Sequence, residues 1–155
     1  SWKARQSGFE ARFIELAGQI NGSMPEYVVS RVTEALNLRR KALNGSRVLV
    51  VGVSYKANID DVRESPSLDV MRLLKKHGAE VAYHDRFADP QDPEVVHAEV
   101  PAVELTPKTM SSFDCAVVIT GHEGVDYQAL LAHVPVLVDT RNVYHGVQSD
   151  KIVRL

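Results

Sequence analysis

The apolar residues near the start of the chain recur at the spacing of an amphipathic helix. They are Phe9, Phe13, Leu16, Ala17 and Ile20, and residues at this spacing share one helix face. The Asn-Gly pair at 21–22 favours turns and therefore predicts the end of this helix.

A second helix is predicted directly after this break. Ser23 and Glu26 match a capping box, in which each side chain satisfies a main-chain amide, and Pro25 is tolerated in a first turn, where amides lack partners. This helix is expected to end at the Asn-Gly pair at 44–45. Its buried face would contain Val28, Val29, Val32, Ala35, Leu36 and Leu43.

From Arg47 onward the helical period gives way to continuous β-branched runs. Such runs are typical of strands covered on both faces, as in parallel sheets. Ser65 and Pro66 suit the N-cap and first residue of an intervening amphipathic helix, and Gly78 suits its left-handed C-cap. Strands are predicted at 47–53, 79–85, 114–120 and 135–139, with a short helix at 127–133.

This alternation predicts an α/β fold, a doubly wound and mostly parallel sheet of Rossmann-like type, over residues 45–155. Residues 1–44 are predicted to form a separate helical segment. Residues 86–112 contain four prolines and little periodicity. We expect a loop there, with a short strand near Val100 and a short helix near Thr109.

Composition narrows the class of protein. The 155 residues are 45% hydrophobic and 25% charged, as in an ordinary globular chain, and a net charge of −2 argues against bulk attraction to nucleic acid or anionic membrane. One cysteine cannot form an internal disulfide, and no leader or long apolar span is visible, which favours a cytoplasmic location. The opening SWKARQSGFEARF lacks an initiator Met, so we expect the chain to begin inside a longer protein.

Ligands of open parallel sheets bind beyond the carboxyl ends of the strands. Four polar segments are predicted to converge there: 54–66, 84–86, 120–124 and 139–142. The first segment begins GVSYKA and lacks the second and third glycines of the dinucleotide fingerprint, so the main chain cannot approach a pyrophosphate in the usual way. Its length exceeds that of an ordinary strand-to-helix turn, which favours a functional loop.

Two cations are candidates for binding phosphate at this edge. Lys56 can act as a point charge and Arg141 as a bidentate fork from another strand end. Each charge-assisted hydrogen bond contributes about 1.5–3 kcal/mol, so two or three would hold a diphosphate at roughly micromolar strength. The alternative is that these cations pair with Asp60, Asp61 or Asp139 and only order the loop.

Other reactive side chains give weaker signals. Cys115 lies within an apolar strand pattern, which favours a buried thiol over a nucleophile. His84 and His122 are candidate acid/base groups or metal ligands, but no second His or Cys lies at ligand spacing, so neither role is favoured. No metal site is predicted.

Three segments together resemble the C-terminal nucleotide-binding domain of UDP-sugar 6-dehydrogenases. They are GVSYKANIDDVRESPSLDV, GAEVAYHD and LVDTRNVY. A fourth, AGQINGSMPEYVVSRVTEALN, resembles the end of the central helical domain that forms the dimer core of that family. The family includes UDP-glucose, UDP-N-acetylglucosamine and UDP-N-acetylmannosamine dehydrogenases.

The resemblance implies a role for each cation. Lys56 and the main chain of Tyr55 would contact the UDP-sugar, and Arg141 would be a further substrate-binding residue. Arg63 would reach NAD held by an N-terminal domain, so that the loop joins two domains around two ligands. The carboxylates at 60, 61 and 64 would hold the cations of the loop in place, while Arg86 departs from the pattern of many relatives and its role is open.

The resemblance also implies the chemistry of the longer enzyme. The family oxidises the C6 alcohol of the sugar to a carboxylate with two NAD and a catalytic cysteine, giving UDP-hexuronates for surface polysaccharide. Neither that cysteine nor the NAD-binding glycine loop matches anything in this chain, so no catalytic residue is assigned here and the chain alone is expected to be inactive.

A homodimer through the central helices is expected. The sugar is not determined, although the loop pattern weakly favours N-acetylhexosamines. The alternative is a non-catalytic domain that senses nucleotides or acts as a scaffold.

Overall fold

The computed structural model describes residues 12–155, which include five parallel strands in the order β2-β1-β3-β4-β5. The strands are β1 (Arg47–Val51), β2 (Glu80–His84), β3 (Cys115–Val118), β4 (Leu137–Asp139) and β5 (Ile152–Arg154). The helices are α1 (Arg12–Leu38), α2 (Pro66–Lys76), α3 (Pro93–Ala98), α4 (Pro107–Met110) and α5 (Tyr127–His133).

The sheet is covered on both faces, as the continuous apolar runs predict. Alternate residues of β1 enter two different hydrophobic clusters, Val48 and Val50 in one and Leu49 and Val51 in the other. The first cluster contains residues of α1, α2 and α3, and the second contains residues of α4 and α5. The predicted doubly wound α/β fold is therefore confirmed, and all of its strand pairs are parallel.

The first helix differs from the prediction, because α1 runs without a break through Asn21 and Gly22. The capping box at Ser23 was wrong: its hydroxyl donates backward to the carbonyl of Ile20 at 2.8 Å, and Pro25 lies buried inside the helix. A glycine inside a helix is only about 1 kcal/mol less favourable than an alanine. The Asn-Gly pair therefore does not interrupt α1, although it favours turns. The expected contribution of Phe9 lies outside the described residues.

The two halves of α1 have different surroundings. Its C-terminal half buries Val28, Val29, Val32, Ala35 and Leu36 in the same cluster as the sheet. Its N-terminal half exposes large apolar side chains, of which Phe13 is 83% exposed and Ile14 62%. Between residues 12 and 155, no helix combines the length and apolar character that crossing a bilayer requires.

The segment at 86–112 is more ordered than expected. The short helix near Thr109 is confirmed as α4, but α3 was not predicted. Instead of a strand near Val100, a single parallel bridge joins Tyr83 to Ala102. The fifth strand was also missed, since β5 has three residues and only Ile152 of these is buried.

The chain changes direction across the sheet between β1 and β3. It passes from β1 through α2 to β2 on one side, and later enters β3 on the other side of β1. In open α/β sheets, this switch point leaves a crevice beyond the carboxyl ends of the two strands. Gly52 lies at that end of β1 with φ +85°, and a Cβ there would lie 2.1 Å from the carbonyl oxygen of Thr120. The main chains that follow β1 and β3 therefore approach each other closely here.

Candidate functional site

A cleft of about 350 Å³ lies at the switch point. Three strand ends supply its walls: the segments after β1, β3 and β4. The lining residues are Tyr55, Lys56, Ala57, Thr120, Gly121, Arg141 and Val143. The structure therefore brings together three of the residues singled out from the sequence, Tyr55, Lys56 and Arg141.

Lys56 is an exposed cation beside an aromatic ring. Its Nζ lies 5.7 Å from the centroid of the Tyr55 ring. No carboxylate within residues 12–155 forms a salt bridge with it. The structure therefore does not pair Lys56 with Asp60 or Asp61, as the alternative required.

Arg141 is held by its inner nitrogens and leaves its outer ones free. Its main-chain N–H donates to Asp139 at 3.1 Å, and its Nε donates to the carbonyl of Ile119. Across the part of the chain that the structure describes, the two terminal guanidinium nitrogens have no hydrogen-bond partner. One edge of the guanidinium is therefore anchored, while the N–H groups of the other edge are free to donate to a ligand.

The turn that carries Arg141 is organised by one buried carboxylate. Asp139 is 2% exposed and accepts main-chain N–H groups from Arg141, Val143 and Tyr144, at 3.1, 3.2 and 3.0 Å. It does not pair with the guanidinium. Asp139 thus orients the turn after β4 without neutralising the cation at its tip.

The loop after β1 folds back on itself. The main-chain N–H of Tyr55 donates to the carbonyl of Asp61 at 2.7 Å, and Ser65 caps α2 by accepting from Ser67 N at 3.3 Å. The predicted start of α2 at Ser65 and Pro66 is therefore confirmed.

Arg63 lies apart from the cleft. Its guanidinium makes a fork with the Asp61 carboxylate, Nε at 2.9 Å and Nη2 at 2.8 Å, and its side chain is 79% exposed. Hydrogen bonds from Arg63 lower the pKa of Asp61 to about 2. The structure does not bring Arg63 together with Lys56 and Arg141. Asp61 holds Arg63 in place, as predicted from the sequence.

Sequence reasoning missed a buried side-chain pair next to the cleft residue Gly121. His122 Nε2 lies 2.9 Å from Asp85 Oδ2, and the two side chains are 1% and 0% exposed. The other ring nitrogen, Nδ1, accepts the main-chain N–H of Asn58 at 3.0 Å. Convergence of these segments was predicted, but no spacing in the sequence indicated the pairing.

Asp85 is the acceptor for several main-chain amides. Its Oδ2 accepts from the N–H groups of Val53 and Ser54 at 2.7 and 2.8 Å, and its Oδ1 from those of Phe87 and Ala88 at 2.8 and 3.0 Å. Burial by itself would raise the pKa of Asp85, but these main-chain hydrogen bonds outweigh it and lower the pKa to about 2. Asp85 is therefore a buried anion that joins two strand ends.

Other candidate residues take structural positions. Arg86 donates to the carbonyl of Glu123 at 3.2 Å and lies 5.4 Å from the Phe87 ring centroid, away from the cleft. His84 contacts the carbonyl of Val103 at 2.9 Å. Cys115 is buried as predicted, and burial raises the pKa of its thiol to about 12. Within residues 12–155 no cluster of three His, Cys, Asp or Glu side chains is arranged to hold a metal.

A second cavity of about 600 Å³ adjoins the first. Tyr55 and Arg141 line both cavities. The far side of the second cavity is formed by α1 residues that include Met24, Pro25 and Val28, and by the start of α2. The space next to the two cations is thus partly apolar and extends toward α1.

Comparison with known families gives one match over most of the chain. Residues 49–146 match the UDP-binding domain of the UDP-glucose/GDP-mannose dehydrogenase family. A UDP-N-acetyl-D-mannosamine dehydrogenase of Methanococcus maripaludis is 32% identical over 122 residues, 79% of this chain and 26% of that protein. The UDP-glucose 6-dehydrogenase TuaD of Bacillus subtilis is 25% identical over 146 residues, 91% of this chain and 31% of that protein.

Solved structures give the same result for the fold. A UDP-glucose dehydrogenase from Pyrobaculum islandicum superposes with a TM-score of 0.68 at 31% identity, over 88% of this chain and 30% of that one. A UDP-D-ManNAc dehydrogenase from Pyrococcus horikoshii superposes with a TM-score of 0.79 at 20% identity, over 97% and 35%. The chain thus spans about a quarter to a third of the length of these relatives.

Proposed function

Because this chain belongs to the UDP-glucose/GDP-mannose dehydrogenase family, we propose that its cleft binds the diphosphate of a UDP-sugar. The main support is that Lys56 and Arg141, two cations without carboxylate partners, line the same cleft at the switch point. Lys56 supplies a point charge from the loop after β1. Arg141 supplies the free edge of a guanidinium from the turn after β4.

These two side chains suit a diphosphate for electrostatic reasons. The chain has a net charge of −2, so attraction must come from local cations rather than from the whole molecule. Charge-assisted hydrogen bonds contribute about 1.5–3 kcal/mol each, and an Arg fork matches the geometry of phosphate oxygens. The ring of Tyr55, 47% exposed beside the cleft, offers an apolar wall to the rest of the ligand.

We propose that the chain acts as the C-terminal part of an NAD-dependent UDP-sugar 6-dehydrogenase. In this account residues 45–155 bind the UDP moiety, and the reacting groups that oxidise the C6 hydroxymethyl lie elsewhere in the longer enzyme. Holding the diphosphate at a defined position contributes to catalysis by orientation, because it places C6 relative to those groups. The product would be a cytoplasmic UDP-hexuronate used for polysaccharide.

Arg63 is our candidate for a contact with NAD. Its exposure on the outer side of the loop leaves it accessible to another domain. The chain offers little else to a dinucleotide, since GVSYKA lacks the glycines that let a main chain approach a pyrophosphate. NAD, which accepts a hydride when bound, would be held mainly by residues outside this chain.

We further propose that residues 1–44 belong to a central dimerisation domain. The support is the exposed apolar side of α1, where Phe13, Ile14, Leu16 and Ile20 are each more than half exposed. Apolar surface of this kind on a helix favours association. The partner would be a second copy of the chain.

Calorimetry of the 155-residue chain against UDP and, in parallel, uridine tests the proposal. UDP is expected to bind at about micromolar strength and uridine far more weakly. Raising the salt concentration should remove most of the preference for UDP, because added ions screen exposed charges. Equal affinities for UDP and uridine, or a UDP affinity that is insensitive to salt, would overturn the proposal.

A further inference from the structure

A chain of partly buried hydrogen bonds joins two segments that line the cleft, those after β1 and β3, to the end of β2. Asp85 follows β2, His122 follows β3, and Asn58 belongs to the loop after β1. Nε2 of His122 lies 2.9 Å from Asp85 Oδ2, and Nδ1 lies 3.0 Å from the main-chain nitrogen of Asn58. None of the three residues lines the cleft itself.

The direction of each hydrogen bond follows from the chemistry of its partners. A main-chain N–H can only donate, so Nδ1 of His122 must accept from Asn58. The ring proton of neutral His122 is then on Nε2, where it faces the Asp85 carboxylate. Asp85 therefore selects both the tautomer and the orientation of the ring, as carboxylates do for histidines at metal sites.

Asn58 is bonded to the neighbouring segment twice. Besides the main-chain bond to His122, its side-chain Oδ1 accepts the N–H of Glu123 at 2.9 Å. Asn58 has φ +64°, a left-handed conformation that asparagine adopts more readily than most residues. Residues 55–60 are otherwise exposed, so these two bonds are the main tether of the exposed part of the loop.

Lys56 stands two residues before this tether. Its own side chain makes no salt bridge within residues 12–155. The region that its ammonium can reach is therefore set by the main chain of the loop, which the bonds of Asn58 hold in place. The Phe87 ring packs against the His122 ring, with centroids 5.0 Å apart and planes tilted by 31°.

We propose that Asp85, His122 and Asn58 form a positioning relay that holds the loop so that Lys56 faces the diphosphate. The inference rests on the proposed function, since it names what orders one phosphate-binding group. His122 acts here as a positioning residue and not as a catalytic one, because it touches neither the cleft nor a reacting atom. Without His122 the loop adopts several conformations, only some of which present Lys56 to a ligand. The affinity is then reduced to the fraction of molecules that have such a conformation.

The test uses His122→Gln. Its amide N–H can still donate to Asp85, but its oxygen branches from Cδ and no longer lies at the Nδ1 position that accepts the N–H of Asn58. We expect a weakening of UDP binding of about tenfold, the order of one lost neutral hydrogen bond, and little change for uridine. His84→Gln is the matched control, since His84 bonds a loop carbonyl away from the cleft and should leave UDP affinity unchanged. Thermal melting followed by circular dichroism confirms that each variant is folded.

A double-mutant cycle separates positioning from general stability. If His122 acts through Lys56, His122→Gln should weaken UDP binding much less in a Lys56→Ala background than in the wild type. Equal effects in both backgrounds would overturn the relay. If His122→Gln does not fold, Asn58→Gly replaces it, because glycine tolerates the left-handed conformation and loses only the bond to Glu123.

The proton position can be checked without a ligand. Two-dimensional ¹⁵N–¹H spectra of the histidine rings should show His122 as the Nε2–H tautomer, and an Nδ1–H tautomer would contradict the geometry. Failure of the proposed function is distinguishable from failure of the relay. Absence of UDP binding by the wild type removes both, whereas normal UDP binding by the wild type and the His122→Gln variant removes only the relay.

Discussion

Lys56 and Arg141 line the same cleft from the ends of β1 and β4, two strands that β3 separates. Thr120 and Gly121, at the end of β3, line the cleft as well. A ligand that bridges the two cations therefore lies over the switch point of the sheet, where open α/β folds bind their ligands.

Arg63 is predicted to have little part in UDP binding. Its guanidinium forms a fork with Asp61 outside the cleft, so Arg63→Ala should change the UDP affinity of this chain by less than about twofold, within the small effects typical of surface substitutions. Calorimetry against UDP measures this directly. In the longer enzyme, the same substitution should raise the Michaelis constant for NAD more than that for the sugar nucleotide. Equal effects on both would contradict the proposed division of roles.

Gly52 is predicted to be intolerant of a side chain. It has φ +85°, and a Cβ would lie 2.1 Å from a main-chain oxygen of Thr120. Gly52→Ala should therefore lower the free energy of unfolding by at least about 2 kcal/mol, measured by urea denaturation.

The matched control is Gly22→Ala inside α1. A Cβ there meets no atom within 4 Å, and alanine is favoured over glycine in a helix by about 0.5–1 kcal/mol. This variant should be slightly more stable than the wild type. A destabilised Gly22→Ala would indicate that the helix does break at this pair, as the sequence suggested.

Stability at acid pH is predicted to depend on Asp85. Its pKa is lowered from 3.8 to about 2 in the folded state, so the unfolded chain takes up a proton at this carboxyl first. The contribution is fully present above about pH 4 and is lost as the pH falls toward 2. Its size is about 2 kcal/mol, from roughly 1.4 kcal/mol per pKa unit. Urea denaturation between pH 5 and about pH 2 measures this loss.

Asp85→Asn is the control for this pH dependence, because other carboxyls such as Asp61 also have a lowered pKa. The variant should be less stable than the wild type near neutral pH, and the difference between the two should shrink as the pH falls. Parallel stability curves for the two proteins would contradict the role given to Asp85.

The sequence predicted the parts of the fold that depend on burial. Strands β1 to β4 are short apolar runs whose side chains must leave water on both faces, so hydrophobicity alone locates them. Strand β5 was not predicted, because only Ile152 of its three residues is buried. One buried position is too little to show a strand pattern. The break at 21–22 was wrong because local turn preference is a weak term beside a continuous helix ladder.

The candidate site was predictable only in part. Lys56 and Arg141 were found because parallel strands align their carboxyl ends, which turns positions in the sequence into neighbours in space. The pairing of His122 with Asp85 was not found, because it depends on the distance between two loops and not on any spacing along the chain. The same is true of the main-chain bond from Asn58 to the ring of His122.

The central claim is that two cations bind one diphosphate. The UDP affinities of Lys56→Ala and Arg141→Ala test this claim most directly. Each variant should bind UDP about 10- to 100-fold more weakly than the wild type, from the loss of about 1.5–3 kcal/mol, with uridine binding unchanged. Lys108→Ala, an exposed lysine in α4, is the control and should behave as wild type. Wild-type UDP affinity in either Lys56→Ala or Arg141→Ala would contradict the account.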